Sequence, residues 1–144
     1  VALTAALITA QLAGLTRLDI PLVLGTLVTE DPDRARVVGF FIHLCAGQGF
    51  ALGYAAMFAL LHRATWWIGA LIGSLHVGIA LTVLLPLLPG FHPRMASQRA
   101  GPASTAVLEP PGLFALNYGV QTPAVAAVVH IIYGSVLGLL LQAD

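Results

Sequence analysis

Lysine is absent from this sequence, and charge of either sign is scarce: charged residues make up 8% of 144. A water-soluble domain devotes about a quarter of its residues to charge, because its surface faces water. A soluble domain is therefore excluded as the reading of the whole chain. Six Arg balance six acids, so no basic face exists to neutralise a nucleic-acid backbone, and nucleic acid is set aside as a partner. The one cysteine, Cys45, excludes disulfide frameworks and Cys-rich zinc sites, and its place in an apolar run reads as inert packing. Missing too are a Gly-rich phosphate loop, a nucleophile elbow, a His-Glu-x-x-His pair and kinase signatures. No basic segment or cleavage motif follows Val1, so the start does not read as a signal peptide.

What is present is apolar. Hydrophobic residues reach 58% and the mean hydropathy is +0.93. The expected fold is all-α and polytopic, with four transmembrane helices, a short interfacial helix and one long loop. A span needs about 20 apolar residues. Runs that serve are about 37–61, 66–89 and 123–141, with 1–15 as a first span that is short unless residues precede it. Asp19-Ile20-Pro21 provides a cap and a first-turn proline for a short helix over about 20–28. Trp66 and Trp67 supply an interfacial aromatic belt. Residues 90–122 form a Pro-rich polar connection, long enough to be a lid, a partner surface or disordered.

Arginine distribution gives an orientation. Arg17, Arg34, Arg36, Arg94 and Arg99 fall in segments 16–36 and 90–122, against Arg63 alone at the other end. The positive-inside rule assigns the first face to the cytoplasm. Arg17 and Asp19 are close enough in sequence to pair near the membrane boundary, and Asn117, Tyr118 and Gln121 are placed to order the loop.

Helices in lipid associate through close contact at small residues. Gly49/Gly53, Gly69/Gly73 and Gly134/Gly138 are three Gly-x-x-x-Gly pairs, one in each long span. The first of these spans also carries Gly39, His43, Gly47, Ala51 and Ala55 at helical spacing. His43, His76 and His130 lie on such small-residue faces, so they project towards other helices. From the loop side His43 and His130 are about 8 residues deep and His76 about 12, or roughly 12–18 Å at 1.5 Å per residue.

Imidazole ligates transition metals and, axially, tetrapyrroles. An ionisable group inside a membrane is by default a functional-site hypothesis. The sequence thus points to a three-histidine site for zinc, copper or iron, with His92, Glu109 or water as further ligands. A variant has one histidine ligating a haem or chlorophyll-type ring; the close-packed faces leave little room for one between helices. The alternative is structural, each imidazole hydrogen-bonding Gln48, Tyr54, Tyr133 or a carbonyl across an interface. His62, beside Arg63, reads as solvated, and His92 as either a loop-ordering hydrogen bonder or a fourth ligand.

The run Arg17-Leu-Asp-Ile-Pro-Leu-Val-Leu-Gly-Thr26, the segment at Ile42-His43, Gly90-Phe-His-Pro-Arg-Met-Ala96 and Val129-His130-Ile-Ile-Tyr-Gly134 resemble a group of small, uncharacterised bacterial membrane proteins. The resemblance covers most of the chain and implies four spans, with no assigned activity. Arginine without lysine, with many Ala and Leu, suits a GC-rich bacterial genome. Four functions stay open: an accessory subunit of a larger bacterial membrane complex, redox or photosynthetic; a stand-alone metal-binding enzyme or carrier; a structural bundle; and transport, for which four short spans without acidic residues make a poor ion path unless the protein oligomerises. Lipid is a partner in every case, and other membrane subunits in the first.

Overall fold

The computed structural model describes residues 2–97 and 108–142, and all regular structure among them is helical. In chain order the helices are α1 (Ala2–Leu12), α2 (Ile20–Gly25), α3 (Pro32–Leu60), α4 (Trp66–Gly90) and α5 (Thr122–Leu140). Three of these, α3, α4 and α5, are long and apolar enough to cross a membrane. Their exposed side chains include Leu52, Leu71, Leu75, Val128, Ile132 and Leu139. In water so many large apolar groups would aggregate; in lipid they need no cover. The described helices are consistent with a multi-pass membrane protein.

α1 has 11 residues. At 1.5 Å per residue it reaches about half-way through a ~30 Å hydrocarbon core. The expected first span, 1–15, is thus seen as a half-length helix.

Local chemistry sets the helix starts. Asp31 caps α3 by accepting from the N–H groups of Asp33 and Arg34, with Pro32 in the first turn. Asp19 caps α2 through Leu22 N–H at 2.9 Å. α3 stops at His62, whose φ of 50° is left-handed; glycine is the usual residue there. Within α4 the 80–84 segment is a π-helical turn, the Leu85 N–H reaching back to Ala80 O. Pro86 explains it: proline has no N–H, and its ring crowds the carbonyl four residues earlier, so the helix widens ahead of it.

Two interfaces rest on backbone contact at glycine. α4 and α5 pack so closely that a Cβ on Gly69 would lie 1.9 Å from Gly134 O, and one on Gly138 would lie 2.1 Å from Thr65 O. α2 folds down on α3, where a Cβ on Gly39 would meet Pro21 O at 1.7 Å. No side chain larger than hydrogen fits at these points. The Gly49/Gly53 pair differs: nothing lies within 4 Å of where either Cβ would be.

Segments 16–36, 90–97 and 108–122 gather at one end. Thr16 and Thr122 share a hydrogen bond of 2.7 Å, and Arg17 N–H donates to Tyr118 O at 2.8 Å. The Arg17 side chain pairs with Glu109 at 3.2 Å and also donates to Asn117 O. The expected Arg17–Asp19 pair does not form. One Asp19 oxygen is taken by the α2 cap and the other by Arg36 at 3.0 Å. Asn117 and Tyr118 do order the loop, donating to Pro110 O at 2.8 Å and Glu109 O at 2.5 Å. Burial of Tyr118 first, then the Glu109 carboxylate, pushes its phenol up to about 12, with Arg17 opposing. Arg99 lies outside the described residues.

Candidate functional site

His43 on α3, His76 on α4 and His130 on α5 line one cavity, with Thr4, Gln48 and Tyr133. Its volume is about 110 Å³, room for several waters. α4 and α5 bring two of the rings together because glycine lets their backbones touch at that level. A Cβ on Gly73 would lie 2.4 Å from the carbonyl of His130 itself. The His76 and His130 ring centroids are 4.9 Å apart, the planes at 88°. Phe50 of α3 covers His76 at 4.1 Å. Tyr133 donates to Gly47 O at 2.7 Å, tying α5 to α3 beside the cavity.

The three imidazoles share a pattern. Each has its Nδ1 engaged: His43 with Thr4 Oγ1 at 3.1 Å, His76 with Tyr54 Oη at 3.3 Å, and His130 with Ala126 O at 2.8 Å. A carbonyl only accepts, so His130 Nδ1 carries the proton and its Nε2 keeps a lone pair. No protein group among the described residues hydrogen-bonds the Nε2 of any of the three. Imidazoles that bind metals are oriented in this way, one nitrogen held by a protein partner and the other left for the ion. Even so, no group of three or more His, Cys, Asp or Glu among the described residues is arranged to hold a metal ion in this conformation.

The remaining residues expected near this site are elsewhere. His92 is 4% exposed and lies against α2. Its Nε2–H donates to Val23 O at 2.9 Å, while its Nδ1 accepts from Arg94 N–H at 3.1 Å. Both ring nitrogens are therefore engaged within the loop end in this conformation. Arg94 completes the clasp, donating to Thr26 O at 2.6 Å and pairing with Glu30 at 3.3 Å. Glu109 pairs with Arg17 at the loop end and does not line the cavity. Cys45 is exposed on α3. His62 is exposed in the α3–α4 turn.

Thr4 is the site residue that the sequence reading missed. Its signal was slight, a hydroxyl within an apolar run expected as a short first span. Phe50 was missed as well, since an aromatic residue in an apolar span carries no mark of its neighbour.

No known protein family matches the chain, no curated protein is similar to it, and no solved structure matches it.

Proposed function

We propose that this chain is a small polytopic subunit of a larger bacterial membrane complex, and that its histidine cavity receives a transition-metal ion. One observation carries the reading: three imidazoles from three helices border one cavity, each tethered through Nδ1 and each with a free Nε2. A polar ring atom left without a partner is costly in hydrocarbon. An ion, or waters, would satisfy all three. Loading requires rotation of the rings about their side-chain bonds, with His76 and His130 already adjacent. Zinc, copper and iron(II) all accept imidazole. A tetrapyrrole does not suit this cavity, whose volume of about 110 Å³ falls below the ~300–1,000 Å³ of ordinary ligand pockets. A pigment ring would have to lie on the outer face.

The subunit part of the reading is supported by α3. Gly49 and Gly53 stand open, with nothing within 4 Å of where either Cβ would be. Four spans, and a cytoplasmic position for segments 16–36 and 90–122, complete the proposal. The arginines clustered at that end support the orientation. A stand-alone metal carrier would share the same cavity and would purify without partners.

A second reading is favoured by the lack of a ready three-ligand geometry. In it the cavity holds water and the histidines act only as polar contacts between helices. Elemental analysis of protein extracted in mild detergent from its native membrane separates the two. The first expects about one metal per chain, lost in the His43→Ala/His76→Ala/His130→Ala protein, and co-migration with other subunits. Metal-free protein, or metal content unchanged in the triple variant, supports the second.

A further inference from the structure

At the end opposite the long loop, a cleft of about 710 Å³ opens between the end of α3, the 62–65 turn and the end of α5. It shares no residue with the histidine cavity. Its walls have two characters. Ala55, Phe58, Ala59, Ala64 and Leu141 give it an apolar side, while His62, Arg63, Thr65 and Gln142 give it a polar one.

Arg63 is the only arginine at this end, and it makes no ion pair among the described residues. Its guanidinium carbon sits 5.8 Å from the centroid of the Trp67 ring. Trp66 and Trp67 are both exposed, as side chains at a water–lipid boundary are. A cation without an ion pair among the described residues therefore borders a cleft with an apolar lining, next to two exposed tryptophans.

We propose that this cleft binds an anionic glycerophospholipid, the phosphate on Arg63 and His62 and an acyl chain along Ala55 and Ala59. Charge complementarity selects the headgroup, since an anionic phosphate suits a guanidinium that makes no ion pair among the described residues. The planar guanidinium offers paired N–H donors to phosphate oxygens. Alanine at positions 55 and 59 leaves the groove that a chain would fill. A free phosphate would use the polar side and leave the apolar side without a role. This site is independent of what the histidine cavity holds.

Trp66 and Trp67 are the only tryptophans, so intrinsic fluorescence reads this corner of the protein alone. Phosphatidylglycerol with brominated acyl chains is titrated into the full chain in phosphatidylcholine nanodiscs, with brominated phosphatidylcholine in parallel. The anionic lipid should quench at a roughly fivefold lower mole fraction, the effect of one basic side chain near the surface. Arg63→Gln should bring the two curves together. Ala59→Phe should do the same by filling the groove while leaving the charge intact. Equal quenching by both lipids in the unsubstituted protein overturns the proposal. So does a preference that survives Ala59→Phe, which would reflect charge alone. A saturable response to inorganic phosphate, without any preference for phosphatidylglycerol, would assign the site to a free anion instead.

Discussion

His92 and the trio of His43, His76 and His130 put one residue type in two kinds of place. His92 is closed: carbonyl on one nitrogen, backbone N–H on the other, 4% exposed, clasped by a short helix and a loop. The trio is half open, each ring tethered at Nδ1 with its Nε2 unclaimed beside a cavity. Burial alone does not distinguish the two kinds of place. The count of engaged nitrogens does, because a ring with both nitrogens used has no lone pair to offer.

The contrast can be broken most severely at Gly73. Leucine there meets the His130 carbonyl, which cannot move without parting α4 from α5. Gly73→Leu should destabilise the protein by about 4 kcal/mol or more, at the upper end for a single substitution, read from denaturation in mixed micelles. His92→Ala comes next. It leaves Val23 O and Arg94 N–H without their partner, at about 1–3 kcal/mol for each buried group, and metal content should not change. A fall in metal content with stability intact would reverse the roles assigned to the two kinds of histidine.

Tyr54→Phe removes the partner that holds His76 Nδ1. Loss of such an outer partner typically weakens metal affinity about 10–100-fold, and a competition titration with a chelator measures it. The expected cost in stability is about 1 kcal/mol.

The loop end responds to alkali. The Tyr118 phenol stays protonated up to about 12 in the folded protein, while an unfolded chain loses that proton near pH 10. Its contribution is therefore complete below pH 10 and lost as the pH rises through about 12. Thermal midpoints should fall across that window and fall less in Tyr118→Phe. Arg17→Gln, which removes the exposed pair with Glu109, should have the smallest effect, about 0–1 kcal/mol by denaturation.

The three long helices were legible in the sequence because uncharged length needs no knowledge of tertiary contact. Legible too was the meeting of His43, His76 and His130, since depth along a helix and a small-residue face are both read by counting. Facing was less legible. Gly69/Gly73, Gly134/Gly138 and Gly49/Gly53 have the same spacing, yet the first two pairs are sealed against backbone and the third is open. Spacing says that a helix can be approached closely, not that a neighbour is there. Pairing over long separations was hidden as well. Asp19 looked like the partner of Arg17, but its carboxylate is spent on the α2 cap and on Arg36, and Arg17 turns to Glu109. The part played by His92 could not be read, because it depends on α2 folding down on α3 through Gly39 and bringing Val23 O to the ring.

The central claim is that the free Nε2 atoms of the trio are ligands. X-ray absorption at the metal edge of the zinc- or copper-loaded protein tests it most directly. The account predicts an inner shell containing at least two imidazole nitrogens, near about 2.0–2.1 Å for zinc, and its disappearance in the His43→Ala/His76→Ala/His130→Ala protein. A spectrum without imidazole scattering, or one that the triple substitution leaves unchanged, would contradict it.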